Sequence, residues 1–100
     1  MMDGMDISVQ DNKDRFEARR GDGDGDGELV GYVEYRRDGD VWDLHHTQVL
    51  PEFEGQGVAG TLVAEALDQI RAAGGTVIAS CSYVDAFLER RQEYADLRAR

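Results

Sequence analysis

Val49-Leu50-Pro51-Glu52-Phe53-Glu54-Gly55-Gln56-Gly57-Val58-Ala59-Gly60-Thr61-Leu62-Val63 decides how the rest of the chain is read. An apolar, strand-like run ends at Pro51, a turn with two glycines follows, and an amphipathic helix begins at once. Gly57 and Ala59 lack bulk where backbone has to come close to a ligand, and Gly60 adds a small residue in the first turn. The first N–H groups of a helix have no intrahelical partner and carry partial positive charge, so such a turn favours an anion such as a phosphate. A tight strand-to-helix turn would use the same glycines for structural reasons alone, and a short glycine pattern does not choose between the two. The Walker pattern fails because no Lys-Ser or Lys-Thr pair follows. The dinucleotide fingerprint fits poorly, because the preceding elements read as an antiparallel meander and not as the opening of a βαβ unit.

Upstream, Ile7 to Gln10 alternates weakly, and Arg15-Phe16-Glu17-Ala18-Arg19 places Phe16 and Ala18 on one face. Leu29 to Tyr35 is rich in strand formers, Asp38-Gly39 is a hairpin signal, and Val41 to Val49 reads as a fourth strand. The helix is expected to start near Gln56 or Gly57. Val58, Leu62, Val63, Ala66, Leu67 and Ile70 recur at helical spacing and predict its buried face. It should end at Ala72-Ala73-Gly74-Gly75, where a glycine can take the left-handed cap. Thr76 to Cys81 is a continuous apolar run that suits a buried strand, parallel to its neighbour and joined by the crossover helix. A last helix is expected near Asp85, with Phe87, Leu88, Tyr94 and Leu97 turned inward. The fold class is therefore α/β (α+β). Its five-stranded sheet is mostly antiparallel, strands four and five form a parallel crossover pair, and there are two helices.

One hundred residues suit a single domain over 1–100. Lys and Arg number 11 against 21 Asp and Glu, a formal charge of −10, so the chain should repel nucleic acid and anionic membranes. Lys13 is the only lysine, and the spread of acid suits a protein kept soluble at high salt, as a halophile's would be. No apolar run is long enough for a transmembrane helix, and the first residues lack the regions of a signal peptide, which makes a cytoplasmic protein the expectation. Cys81 is the only cysteine, so neither an internal disulfide nor a Cys-based zinc site is expected.

Each candidate side chain has a functional and a structural reading. Asp22, Asp24, Asp26 and Gly27 imitate the start of a calcium loop, but its twelfth position, which needs a bidentate Glu, is Val33. A solvated hairpin loop is the preferred reading, and no metal site is expected. His45 and His46, adjacent on a strand, should point to opposite faces and so cannot easily share a metal. Either is a possible base near neutral pH or a hydrogen-bonded structural residue. Cys81, expected at the end of the fifth strand, is a possible nucleophile or a small buried residue. Tyr83 and Tyr94 can donate a proton to a leaving thiolate or pack between helix and sheet. Arg90-Arg91 fits either a solvated helix face or contact with an anionic cofactor.

Taken together, these residues resemble the GNAT superfamily of N-acetyltransferases. Val49 to Ala59 is similar to the acetyl-CoA segment of that superfamily, with core Gln or Arg, two residues, Gly, one residue, then Gly or Ala. Gly57 and Ala59 fall in frame, while Glu54 departs from the usual Arg or Gln. The resemblance extends to the small, single-domain YjdJ-like branch. It is carried by Phe16-Glu17, Leu44-His45-His46-Thr47-Gln48-Val49, Gly55 to Leu67, and Cys81-Ser82-Tyr83-Val84 through Arg90 to Glu93-Tyr94-Ala95-Asp96-Leu97. Gln48 stands where this branch often has Glu, and Arg91-Gln92 replaces the usual His-Pro.

The resemblance implies a GNAT fold shortened at the C-terminus, with the acceptor side open or completed by a partner. It implies acetyl-CoA as cosubstrate, with its pyrophosphate on the N–H groups of Gln56 to Gly60. The cofactor-binding residues would be Gln48, Val49, Leu50, Gly55, Gln56, Gly57, Val58, Ala59, Gly60 and Thr61. The pantetheine arm would run between the fourth and fifth strands, and a backbone N–H would polarise the thioester carbonyl. The acceptor is an amine, on a small molecule or a protein, that the sequence does not identify. His46 is the candidate base, Tyr83 or Tyr94 the candidate acid, and Cys81 the nucleophile only in a covalent variant. Direct transfer is preferred because no activated Cys–His pair is evident. A non-catalytic acyl-CoA-binding or interaction module is the rival, and it would explain an open acceptor side and the missing Glu at Gln48. If the acid content serves solubility at high salt, thermal unfolding will move upward as salt approaches molar concentration. No gain in stability there would rule out the halophilic reading.

Overall fold

The computed structural model describes residues 7–21 and 27–99, so Asp22, Asp24 and Asp26 of the calcium-like run lie outside the described residues. The strands are β1 (Ile7–Asp11), β2 (Arg15–Arg20), β3 (Glu28–Asp38), β4 (Val41–Val49) and β5 (Thr76–Ala79). The helices are α1 (Val58–Ala72) and α2 (Ser82–Arg90), with short 3₁₀ turns at Pro51–Phe53 and Gln92–Leu97. The sheet runs β1-β2-β3-β4-β5. β1 to β4 pair antiparallel, and β4 pairs parallel with β5. This is the mixed sheet expected from an antiparallel meander followed by a crossover helix. No described helix is long and apolar enough to cross a membrane.

The helical stripe read from the sequence is the stripe that α1 buries: Val58, Leu62, Val63, Ala66, Leu67 and Ile70. They meet Phe16, Ala18, Val30, Val33, Leu44 and Val77 from the strands, all within 1% of full burial. Each Val, Leu, Ile or Phe among them contributes about 1.5–3 kcal/mol on leaving water, before the entropy of ordering is subtracted. Phe87, Leu88, Tyr94 and Leu97 are buried at the same core, as their spacing indicated.

Glycines fix both ends of α1. Gly57 is its N-cap with φ +80° and Gly74 follows its end with φ +79°, both in the left-handed region that favours glycine. The Gly75 N–H then reaches the Ile70 carbonyl at 2.9 Å and closes the helix. A Cβ on Gly75 would lie 2.1 Å from the Trp42 ring, so the turn into β5 passes directly against that indole.

Two local expectations change. α2 begins at Ser82 and not near Asp85, with Cys81 as its N-cap residue. The Cys81 carbonyl accepts the Asp85 N–H at 3.0 Å, and the Asp85 carboxylate, one turn inside, pairs with Arg98 at 2.9 Å. Asp85 is thus a first-turn acid, favoured by the helix dipole, and not the cap. The second change is at the histidines. Tyr35 pairs with Leu44 and Glu34 with His46, so His45 is an extra residue bulged out of β4. Strict alternation breaks there. His46 joins Glu34 and Tyr32 on the face away from the core, and His45 shares a hollow with Glu34 and Arg36, so both histidines lie on that one face.

That open face is polar. Glu17, only 5% exposed, is held by Arg15 at 2.9 Å, Arg19 at 2.8 Å and Asn12 at 3.2 Å. The Arg15 guanidinium also lies 4.4 Å over the Tyr32 ring. Burial pushes the Glu17 carboxyl up, but the hydrogen bonds from Arg19, Arg15 and Asn12 outweigh it and hold the group below the ordinary carboxylate range. At the sheet edge the Tyr35 hydroxyl donates to Asp11 at 2.5 Å, and burial together with that carboxylate raises the phenol to about 12.

Gly75→Ala should destabilise by about 1–3 kcal/mol through overpacking against Trp42, lowering Tm by several degrees. Because Glu17 titrates lower folded than unfolded, its stabilisation is present above the unfolded pKa and lost as pH falls through the folded one. Stability of Glu17→Gln measured from neutral to strongly acidic pH should therefore show a flatter acid limb than the parent. An unchanged limb would contradict this.

Candidate active site

β4 and β5 are partners only from Val41–Thr76 to Leu44–Ala79. One further link, the Cys81 N–H to the Leu44 carbonyl at 2.9 Å, ends the contact. β4 then continues to Val49 on β3 alone. The bulge at His45 sits where the strands separate, and a bulge bends its strand and increases local twist. The outcome is an open-sided notch whose edge is β4 backbone.

Backbone alternation says which groups face that notch. The Leu50 N–H is spent on the Val30 carbonyl at 2.9 Å. Its neighbour Val49 therefore turns its own N–H to the opposite edge, toward the notch. The Val49 carbonyl is held there by the side-chain amide of Gln48 at 3.0 Å. Within Gln48, Val49 and Leu50, Val49 is thus the residue whose amide faces the notch, and Gln48 acts on its carbonyl.

The start of α1 opens onto a cleft of about 210 Å³. Val49 and Phe53 line its base, Glu54, Gly55 and Gly57 its turn, Val58, Ala59 and Gly60 the helix start, and Tyr83 the far side. No side chain caps the helix, and its first turn holds no acid. The first hydrogen bond of the helix is the Thr61 N–H to the Gly57 carbonyl at 3.2 Å, so Val58, Ala59 and Gly60 keep the N–H groups a helix leaves without partners. A Cβ on Gly60 would sit 3.8 Å from the Tyr83 hydroxyl, which stands over this turn. Glu54 is exposed at the mouth. The geometry suits an elongated ligand with an anionic group on the helix start and a hydrogen-bonding arm along β4.

The sequence-predicted residues do not all meet here. Gly55, Gly57, Val58, Ala59, Gly60, Val49 and Tyr83 line the cleft. Thr61 is engaged in the helix, and the exposed Gln56 directs its amide to the Glu52 carbonyl at 3.5 Å. Cys81 is 9% exposed, with its thiol 3.3 Å from the Thr47 hydroxyl. Tyr94 lies between α2 and α1, where its hydroxyl donates to Asp68 at 3.0 Å. Burial and then that carboxylate raise its pKa, so its proton is held. His46 is exposed on the open face, its ring 6.3 Å from that of Tyr32.

A second hollow, about 510 Å³, lies on the open face between the β1–β2 turn and the bulge, lined by Asn12, Asp14, Arg15, Glu34, Tyr35, Arg36 and His45. The sequence reading did not single out Glu34 or Arg36. Their spacing of two along a strand was the available signal that they share a face.

The comparisons agree with this geometry. A family model described as GCN5-related N-acetyl-transferase matches residues 15–97. A protein from Staphylococcus aureus assigned as a GCN5-like N-acetyltransferase, solved by NMR, is 27% identical and superposes with a TM-score of 0.65 over 91% of this chain and 86% of its own. A Desulfovibrio desulfuricans protein assigned to the GNAT acetyltransferases shares the fold, with a TM-score of 0.51 and 22% identity over 77% of this chain and 54% of its own. No curated protein is a significant match to the sequence. With the family model matching residues 15–97, the chain belongs to the GCN5-related N-acetyltransferase family.

Proposed function

We propose that this acetyltransferase uses acetyl-CoA and moves the acetyl group directly to an amine. The observation that carries the reading is the cleft that the uncapped α1 start shares with Val49, on the part of β4 that has left β5. Val58, Ala59 and Gly60 would bind the pyrophosphate, and Val49 would hydrogen-bond the pantetheine arm or the thioester oxygen. Acetyl-CoA supplies an activated acyl group, and the chain supplies orientation and proton movement. Of the two tyrosines Tyr83 lines the cleft, whereas the Tyr94 hydroxyl is engaged by Asp68, so Tyr83 is the remaining candidate to protonate the departing thiolate. A bulge histidine, His46 or His45, would take the proton of the amine. A buried Cys81 whose thiol has the Thr47 hydroxyl as its hydrogen-bond partner among the described residues favours direct transfer over a covalent acetyl-cysteine. The four matching sequence segments support placement in the small YjdJ-like branch.

Glu54 works against anion binding, since its carboxylate stands at the cleft mouth where relatives carry Arg or Gln. Being exposed, it is largely screened, so the cost is modest.

Acetyl-CoA should raise the unfolding temperature, by an amount equivalent to about 2.7 kcal/mol at a hundredfold excess over Kd. The same protein should release free thiol from acetyl-CoA in a panel of amines. A thermal shift without thiol release would favour a non-catalytic binding module, and no shift at all would exclude both readings. Glu54→Gln should tighten acetyl-CoA binding two- to fivefold by titration calorimetry, about 0.3–1 kcal/mol. Cys81→Ala should retain turnover, while Tyr83→Phe should lower kcat about tenfold or more. Loss of turnover in Cys81→Ala with the fold intact would restore the covalent route.

A further inference from the structure

We propose that the open-face hollow beside the β4 bulge is the acceptor site, and that it takes a small amine that also carries a carboxylate. The proposal rests on the acetyl-CoA reading above and adds the class of its acceptor.

Position is the first argument. The notch is the β5-facing edge of β4, and His45 bulges from that strand where the notch begins. The same His45 is a wall of the hollow, together with Glu34 and Arg36 of β3. A ligand in the hollow therefore reaches β4 from the side opposite the cleft at α1. The β4 residue that lines the cleft is Val49, four positions along the strand from His45.

Unsatisfied charge is the second argument. Glu34 is half-buried and Arg36 is two residues along the same strand face, yet among the described residues neither makes an ion pair or a side-chain hydrogen bond. Arg37 and Arg90 make no ion pair either, and Arg36 is exposed; what sets Arg36 apart is that it lines one hollow with the half-buried Glu34 and with His45. Asp43, opposite Arg36 in register, forms no ion pair with it, and one Asp43 carboxylate oxygen is buried without a hydrogen-bond partner among the described residues. A free guanidinium and a free carboxylate about 7 Å apart along one strand face are complementary to a ligand bearing both charges.

The mixed lining also discriminates. A polyamine would meet Arg15 and Arg36 on the walls, and a simple anion would meet Asp14 and Glu34 in a chain of charge −10. A zwitterion avoids both penalties: Arg36 takes the carboxylate and Glu34 holds the ammonium beside His45. The ammonium gives one proton to His45, which passes it to solvent. The neutral nitrogen then attacks the thioester carbonyl carbon, forming the C–N bond. The C–S bond breaks with its electron pair on sulfur, Tyr83 protonates that sulfur, and the second proton shed by nitrogen restores the Tyr83 hydroxyl through solvent.

The test pairs each amino acid with its carboxamide, the same amine without the negative charge. Binding is measured by calorimetry in the presence of CoA, and turnover by thiol release from acetyl-CoA. The free amino acid should bind and turn over about tenfold better or more than its carboxamide. Arg36→Gln should erase that preference by raising KM for the amino acid about tenfold, leaving the carboxamide and the acetyl-CoA thermal shift unchanged. Arg36→Lys should restore part of it. Equal use of both members of every pair, equal losses for both in Arg36→Gln, or no turnover of any carboxylated amine would each overturn the proposal. Retention of the acetyl-CoA thermal shift in those cases confines the failure to the acceptor site, whereas its loss in the parent protein removes the donor reading as well.

Discussion

The structure depends on a strand that keeps one partner and loses the other. β4 stays on β3 from Val41 to Val49 but holds β5 only as far as Leu44. Backbone groups left without a partner are costly when buried and useful when exposed to a ligand. The bulge at His45 makes the separation possible, because the extra residue turns β4 without breaking its ladder to β3. Everything assigned to the site lies within reach of that point. The notch borders it on one side and the polar hollow on the other, with the α1 start beyond the end of the strand.

Packing holds the strands apart at the right place. α1 buries a full stripe against the sheet, and its ends are fixed by Gly57 and Gly74 in conformations other residues resist. Gly75 then passes against Trp42, which sets where β5 starts beside β4. β5 is short, and Cys81 at once caps α2, so the chain leaves the sheet before it could follow β4 further. Tyr83 in the first turn of α2 is thereby delivered over the start of α1. The other edge of β5 is covered by the single bridge from Arg98 to Val77.

Much of the fold was legible in the sequence because its signals were periodic or punctuated. The α1 stripe, the Asp38-Gly39 hairpin, the Gly74 cap and the buried Val77 strand each follow from local patterns. The bulge was not legible. His45-His46 looks like ordinary alternation, and only pairing with β3 reveals which residue is extra. Its consequence was hidden with it: both histidines share one face, and Val49, not Leu50, turns its amide to the notch. Asp85 misled for a related reason, since a good capping residue can serve equally well as a first-turn acid paired to a distant arginine. Glu34 and Arg36 gave no signal individually, and only the fold brings them to one hollow with His45.

The most direct measurement is an NMR titration of isotope-labelled protein with acetyl-CoA, following backbone amides. The amides of Val58, Ala59 and Gly60 should shift and saturate together with that of Val49. The amide of Leu50, already bonded to Val30, should respond less. Saturable binding that leaves the helix start and Val49 unmoved, or no binding at millimolar acetyl-CoA, would contradict the assignment of the groove between α1 and β4 as the donor site.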